Sequence, residues 1–176
     1  KYIFFCSPDN FIENNTIQKL EEFTKEVDDY FGVLVVNEEG SAVSKLTEVK
    51  MPWRKTEKGI ACFFVKKEIF LKISGFDENF FLYCEDKDLS ERLVKAKFPF
   101  YKVPLTFKNG KGSHNKKYNY QISINNNWHF MWSKFYYKRK QYGYLIALLI
   151  TVPYFANSCI KVVQFLNNPK NSGIYI

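Results

Sequence analysis

The chain has 176 residues, enough for one ordinary domain with a hydrophobic core. Hydrophobic residues make up 46% of it and aromatic residues 19%, which excludes disorder as a description of the whole chain. The formal net charge of +8 suits an anionic partner: nucleic acid, an anionic membrane face or a phosphate-bearing substrate. The four cysteines form no CxxC pair, which argues against a zinc site and favours a reducing cytoplasm.

The first elements alternate between strand and helix. Residues 2–6 form an apolar strand that stops at the polar turn of residues 7–10. Residues 16–27 carry apolar side chains at helical spacing, and residues 31–36 form a second apolar strand. Strand, helix and strand in this order predict a parallel sheet.

The middle of the chain continues with short elements and two polar loops. Leu89 and Leu93 share one face of a helix, and Asp88 and Arg92 are spaced for an i,i+4 ion pair. The other elements are a long loop at 37–58, a strand at 59–65, a helix at 66–72, a strand at 98–103 closed by Pro104, and a basic loop at 106–118.

Two helical stretches end the chain, at residues 121–140 and 142–166. The first closes on a basic cluster, and the second opens with the 13 largely apolar residues YLIALLITVPYFA. A bilayer span needs about 20 such residues, so the second stretch is either an interfacial helix anchored by the adjacent cations or a core helix that covers the sheet.

An acidic cluster, Glu85-Asp86-x-Asp88, opens the helix that contains Leu89. Carboxylates at a helix N-terminus can cap backbone N–H groups without any further role. Three acids within four residues, directly after an aromatic run and close to a Gly-Phe-Asp-Glu turn, also suit a functional site.

The segment that contains this cluster is recognisable. Residues Gly75 to Leu93, GFDENFFLYCEDKDLSERL, resemble the pattern G-F-D-E-x-F-F-x-Y-x-E-D-x-D-L-x-x-R of family 2 inverting glycosyltransferases, and every fixed position is matched. Upstream, YIFFCSPDN resembles the strand-end Asn-Pro-Asp turn of that family, and GIACFFVKKEIFLKI resembles the strand and helix before the Phe-Asp-Glu turn. The resemblance covers roughly residues 1–140 and is strongest to transferases that build bacterial surface polysaccharides, including rhamnosyltransferase-like members.

This resemblance implies roles for individual residues. Asp86 matches the catalytic base, with Glu85 as the second candidate, and Asp9 matches the aspartate that holds a divalent cation, Mg or Mn, against the donor diphosphate. Asp77 and Glu78 match a turn of the acceptor pocket. Independently of the resemblance, Trp53 lies beside cations in a polar loop and is a candidate to stack on an acceptor sugar, as well as an ordinary exposed side chain.

The basic loop departs from the family pattern. The family usually places a metal-binding His where this chain has Lys108, and the next histidine is His114. Either His114 replaces it through a loop shift, or Lys108 or Lys111 contacts the diphosphate and partly replaces the metal, or the loop is a solvated basic surface.

The resemblance therefore implies an α/β fold: an incomplete GT-A, Rossmann-like domain with a mainly parallel sheet over residues 1–118, followed by a helical extension, a candidate for membrane association, over 119–176. The expected reaction is transfer of a sugar from a nucleotide-diphosphate donor to a saccharide or lipid-linked acceptor, with inversion. We expect it in the cytoplasm, peripheral at the inner face of the cell membrane, where an anionic membrane surface would be a further partner.

The chain opens inside a strand, which suggests that a nucleobase-binding half precedes it and that the chain alone is inactive. The alternative is a non-catalytic transferase remnant that docks to a membrane or a partner. Nucleic acid is not expected as a partner, because no recognised RNA-binding motif is present. The adjacent Glu85 and Asp86 also do not supply the separated carboxylates of a glycoside hydrolase.

Overall fold

A computed structural model of the chain describes residues 1–27, 32–49, 61–110 and 119–167. Within these residues the elements follow in the order β1 (Tyr2–Cys6), β2 (Asn10–Ile12), α1 (Thr16–Glu26), β3 (Val33–Glu38), β4 (Thr47–Glu48), β5 (Cys62–Lys66), α2 (Lys67–Lys72), α3 (Glu85–Lys95), β6 (Phe100–Asn109), α4 (Asn119–Tyr142) and α5 (Tyr144–Asn167). They divide into a sheet unit, residues 1–77 and 86–112, and a helical unit, residues 78–85 and 113–176.

The sheet unit contains one mixed sheet with the strand order β1-β5-β3-β6-β2, and β4 also pairs with β6. β3 and β6 are parallel, whereas β5 is antiparallel to both of its neighbours. The chain is therefore an α/β protein, but the expectation of a mainly parallel sheet is wrong. β5 is a continuous apolar run because both of its faces are buried, and such a run is typical of parallel strands without fixing the strand's direction.

The strand directions define the edge that matters for ligand binding. Because β5 is antiparallel to both β1 and β3, these two strands point the same way, and β6 points with them. The carboxyl ends of β1, β3 and β6 consequently meet at one edge of the sheet, which we call the carboxyl edge. Open α/β sheets bind ligands at such an edge.

Helices cover both faces of the sheet. Successive side chains of a strand point to opposite faces, so α3 packs through Leu89 and Leu93 against one set and α1 packs through Leu20 against the other. The two sets on β3 and β5 are Val33, Val35, Phe63 and Val65 on the α3 side, and Leu34, Val36, Cys62 and Phe64 on the α1 side. Burial on both sides explains why these strands lack polar alternation.

β6 is longer than the sequence predicts. The expected strand ended before Pro104, but β6 continues to Asn109 and takes up the start of the predicted basic loop. Pairing with β3 shifts register between Val35 and Asn37, opposite Pro104, and the Asn37 side chain donates a 2.7 Å hydrogen bond to the Val103 carbonyl. An irregularity of this kind accommodates a residue that has no backbone N–H, so Pro104 does not end the strand.

The helical unit pairs α4 with α5 around Gly143, whose φ of 82° suits a residue without a side chain. The contact uses small and polar groups, since Ser133, Tyr137, Ala147 and Thr151 are buried. The segment 78–85 packs on α4 in the same unit: the Phe80 ring lies 4.8 Å from Tyr136, and Ser133 donates a 2.6 Å hydrogen bond to the Leu82 carbonyl.

The helices predicted at residues 16–27, 66–72, 121–140 and 142–166 are confirmed to within a few residues at each end. In the part of the chain that the structure describes, none of the helices combines the length and apolar character that crossing a membrane requires.

Candidate active site

Asp9 lies at the carboxyl edge, in the turn that joins β1 to β2. The Asn10 N–H donates a 3.0 Å hydrogen bond to the Ser7 carbonyl, which closes this turn tightly. The backbone N–H of Gly110 donates a 2.7 Å hydrogen bond to the Asp9 carbonyl oxygen, and a Cβ at Gly110 would lie 2.5 Å from that oxygen. The glycine permits this close approach, which fixes the turn and leaves the Asp9 side chain exposed.

Lys108 lies beside this turn, near the end of β6. Phe11 of β2 is its direct partner in the antiparallel pair. The Lys108 Nζ is 3.5 Å from Glu39 Oε1, and the two side chains are 70% and 61% exposed. An exposed pair of this kind contributes little stability, so the ammonium group can turn to a more strongly charged anion at little cost.

The Gly-Phe-Asp-Glu turn is anchored by its phenylalanine. The Phe76 ring contacts Phe5 of β1 edge to face, with centroids 4.9 Å apart, and contacts Phe70 of α2 at 5.7 Å. Because Phe5 is close to the end of β1, this contact holds the half-buried Asp77 near the carboxyl edge. Glu78 is exposed.

Asp86 occupies the first turn of α3 and is half-buried. Burial raises the pKa of its carboxyl group, and the backbone N–H of Lys87, which donates a 2.7 Å hydrogen bond to Asp86 Oδ1, opposes the rise. A carboxylate with a raised pKa is a better proton acceptor than an exposed one. Glu85, the other base candidate, is also half-buried and begins the helix.

The backbone in front of these two acids is in an unusual conformation. Tyr83 and Cys84 have φ values of 68° and 65°, in the left-handed region that residues with side chains rarely occupy. Each costs on the order of 1–3 kcal/mol, and such residues cluster at functional sites. The Tyr83 ring packs edge to face on Phe130 of α4, which helps to hold this conformation.

Asp88 has a structural role. It is 1% exposed and accepts a 2.8 Å hydrogen bond from the Arg92 Nε, as the i,i+4 spacing predicts. Arg92 also donates to the carbonyl of Ile73, in the turn after α2. The pair therefore fastens α3 to the turn between α2 and Asp77.

The direction of α3 relates Asp86 to Asp9. The chain leaves α3 and enters β6 at the opposite edge of the sheet, where the Val33 N–H donates to the Pro99 carbonyl at 3.0 Å. Since Leu89 and Leu93 pack on the sheet, the helix runs back across one face and directs its amino end, with Asp86, toward the carboxyl edge. Asp9 and Lys108 therefore lie at the carboxyl edge, and α3 directs Asp86 toward that edge.

Three of the residues singled out in the sequence, Trp53, Lys111 and His114, lie outside the described residues.

The likeness of this chain to known proteins is short. A segment of 44 residues is 43% identical to N-acetylglucosaminyl-diphospho-decaprenol L-rhamnosyltransferase from two strains of Mycobacterium tuberculosis. The segment is 25% of this chain and 14% of the relative. No family model matches, and no solved structure gives a significant match. The likeness relates part of the chain to a glycosyltransferase.

The described residues do not by themselves form a metal site. Residues 1–27, 32–49, 61–110 and 119–167 contain no group of three His, Cys, Asp or Glu side chains that could hold an ion. Asp9 supplies one exposed carboxylate, which fits a Mg²⁺ ion that would be held by one or two carboxylates together with substrate phosphates.

Sequence reasoning missed the uneven distribution of acidic residues along the chain. All 18 Asp and Glu lie in residues 1–91, and residues 92–176 contain 14 Lys and Arg and no acidic residue. A count of charge along the chain, rather than over the whole chain, finds this asymmetry. Trp128 and Trp132 of α4 recur at helical spacing with Phe135 and Tyr136, a stripe that is more often core, but they are 71% and 50% exposed.

Proposed function

We propose that this chain forms part of a glycosyltransferase that transfers a sugar from a nucleotide-diphosphate donor to a saccharide acceptor with inversion at the anomeric carbon. The proposal is supported by the position of Asp9 and Lys108 at the carboxyl edge and by the half-buried Asp86, which opens a helix that packs on the sheet and whose carboxyl pKa is raised by burial. The segment likeness to a rhamnosyltransferase supports the same reaction class.

Sugar transfer needs a group that accepts a proton and a cation that stabilises the departing diphosphate, and Asp86 and Lys108 are the candidates for these roles. Asp86 would accept the proton of the acceptor hydroxyl as that oxygen attacks the anomeric carbon, a contribution of about 10²–10⁴-fold in rate. The departing diphosphate gains negative charge as the sugar leaves, and the ammonium group of Lys108 would stabilise it. Asp9 would order the donor side of the site, and it is the residue that would bind Mg or Mn if the reaction uses one.

Fewer observations bear on the identity of the acceptor than on that of the nucleotide-sugar donor. The mycobacterial relative acts, by its name, on a diphospho-decaprenol-linked N-acetylglucosamine, and we propose a lipid-linked saccharide acceptor here too. A lipid-linked acceptor places the reaction in the cytoplasm at the inner face of the cell membrane. Asp77 and Glu78 would contribute to the acceptor side, together with Trp53.

The base assignment is tested by Asp86→Asn in the intact protein that contains this chain. We expect turnover to fall by about 10²–10⁴-fold with little change in donor affinity, because the amide cannot accept the proton. Glu85→Gln is the matched control and tests the second candidate. Near-normal turnover in the Asp86 variant would disprove its role, and a large loss in the Glu85 variant alone would transfer that role to Glu85.

The donor side is tested by Asp9→Ala and Lys108→Gln. We expect both to weaken binding of the nucleoside diphosphate, measured by calorimetry, and the Lys108 variant to do so with or without added Mg or Mn. Unchanged affinity in both variants would remove the donor site from this edge. Assaying the 176-residue chain beside the intact protein also tests the alternative of a non-catalytic docking module.

A further inference from the structure

The outer surface of the α4–α5 pair is unusually apolar for a surface in contact with water. α5 buries a narrow stripe at Ala147 and Thr151 against α4, whereas Leu145 is 75% exposed, Leu149 76% and Phe155 64%. An ordinary amphipathic helix turns its large apolar side chains inward. A contiguous patch of exposed large apolar residues marks a binding surface.

A cleft between the two helices continues this surface. It has a volume of about 300 Å³, and it is lined almost entirely by apolar groups, among them Trp128 and Trp132 of α4 and Val152 and Phe155 of α5. Its two tryptophans are half-exposed or more. Tryptophan is enriched where one end of a side chain meets hydrocarbon and the other meets water.

Cations border the apolar surface. The Lys134 Nζ lies 3.5 Å from the ring centroid of Tyr154 and 5.4 Å from that of Phe130. Lys138 Nζ lies 5.3 Å from the ring centroid of Tyr142. Lysines held over aromatic rings keep their charge at the rim of the apolar patch, where a layer of anionic groups would meet it.

The sequence of this region decides between possible occupants. Residues 119–167 contain five Lys and Arg and no Asp or Glu. A second copy of this face would set cations against cations, which disfavours self-association through it. A nucleic acid would satisfy the charges but would leave the large aliphatic side chains in water. An anionic lipid surface meets both requirements.

We infer that the outer face of the α4–α5 pair docks onto an anionic lipid surface, with the exposed apolar residues of α5 in the interfacial layer and Lys134, Lys138, Arg139 and Lys140 at the headgroups. The inference rests on the proposed function for its setting at a cytoplasmic membrane face. It does not depend on the chemistry at Asp86.

The test is binding of the full 176-residue chain to vesicles of phosphatidylcholine with and without phosphatidylglycerol, followed by flotation. We expect binding that requires phosphatidylglycerol. The variant K134Q/K138Q/R139Q/K140Q should lose about fivefold in affinity per cation, on the order of several hundredfold in all. The matched control K25Q/K45Q/K67Q/K97Q removes four exposed cations from the sheet unit and should keep most of the binding.

A second variant tests the apolar part of the surface. L145N/L149N changes two side chains that water already reaches, so the fold should be retained, as circular dichroism will check. We expect it to remove the binding that survives 0.5 M salt, since about 0.5 M leaves little electrostatic attraction. A Trp53→Phe variant retains only Trp128 and Trp132. When this variant, with α5 otherwise unchanged, binds vesicles, we expect its tryptophan fluorescence to shift to the blue.

Three results would overturn the inference: equal loss in both four-cation variants, no binding to anionic vesicles by the folded parent chain, or a dimer that L145N/L149N dissociates in place of vesicle binding. Asp86→Asn should bind vesicles like the parent. If the docking variants lose binding while Asp86→Asn keeps full turnover in the intact protein, the docking surface stands and the proposed catalytic base does not.

Discussion

Large apolar side chains are handled in opposite ways by the two units. In the sheet unit, Phe63 and Phe64 are each 3% exposed and Phe100 is fully buried, whereas in the helical unit Trp128 is 71% and Phe155 64% exposed. The same residue type therefore stabilises the fold in one region and remains available for a partner in the other. Composition alone does not distinguish these uses, because both regions are rich in aromatic residues.

The two units also differ in the partners of their charged side chains. In the sheet unit, the buried Asp88 is matched with Arg92, whereas the cations Lys134 and Lys138 of the helical unit lie over aromatic rings. Burying a charge requires a partner, and exposing one does not. The comparison predicts that matched substitutions will have unequal effects in the two units.

The largest difference is expected for the charged residues. Asp88→Ala should lower the free energy of unfolding by about 3–5 kcal/mol, because it leaves the Arg92 guanidinium partly buried without its carboxylate. Lys134→Ala should cost only about 0.5–1 kcal/mol, the contribution of a partly exposed cation over an aromatic ring. Urea unfolding of both variants measures the difference, and adding Arg92→Ala to the Asp88 variant should recover part of the loss. An equal loss of unfolding free energy in the Asp88 and Lys134 variants would contradict the predicted difference between the units.

Two leucines give the next contrast. Leu89→Ala should cost about 2–5 kcal/mol, since Leu89 is 1% exposed in the α3 contact with the sheet. Leu149→Ala should stay within about 0.5 kcal/mol of the parent, because its side chain is already in water. Thermal unfolding without lipid is the measurement, and a large loss at Leu149 would mean that this face is part of a core.

The smallest expected effect concerns Asp86 and pH. Burial raises the pKa of this carboxyl group, so the folded chain binds the proton more tightly than the unfolded chain does, and the ionised group lowers stability. Asp86→Asn should therefore unfold at a higher temperature than the parent at pH 7. This advantage should shrink as the pH falls toward the ordinary Asp pKa of about 3.9.

The helical unit supplies the control for that experiment. Lys138→Gln should change the melting temperature by the same amount at pH 7 and pH 4, because lysine does not titrate in that interval. An Asp86→Asn variant that is less stable than the parent at pH 7 would indicate that the carboxylate is stabilised by its surroundings, contrary to the pKa direction.

The sequence was informative where a pattern is long enough to repeat. The apolar spacing of residues 16–27 and the Asp88–Arg92 spacing predicted α1 and an ion pair that the structure contains. β2 and β4 were missed because strands of three and two residues have no period to detect. The direction of β5 was missed because an apolar run buried on both faces looks the same in either direction.

The sequence selects the candidate residues of the site but does not predict their arrangement. The family pattern selected Asp9 and Asp86, and the departure of the basic loop from that pattern selected Lys108. Their common position depends on long-range features: the Gly110 contact with Asp9, the Phe76 contact with Phe5, and the direction of α3. Such contacts join residues that are far apart in sequence, where local spacing carries no information.

Cys6 and Cys62 face each other across β1 and β5. The Ser7 N–H donates to the Ala61 carbonyl at 3.1 Å, so the cysteines form the adjacent non-hydrogen-bonded pair, in which side chains approach most closely. Cys62 is 0% exposed, and burial beside Cys6 raises the pKa of its thiol. A thiol-alkylating reagent can therefore modify Cys62 only after the core on the α1 side of the sheet opens locally around it. The alkylation rate of this one sulfur would report how often that opening occurs, without any added label.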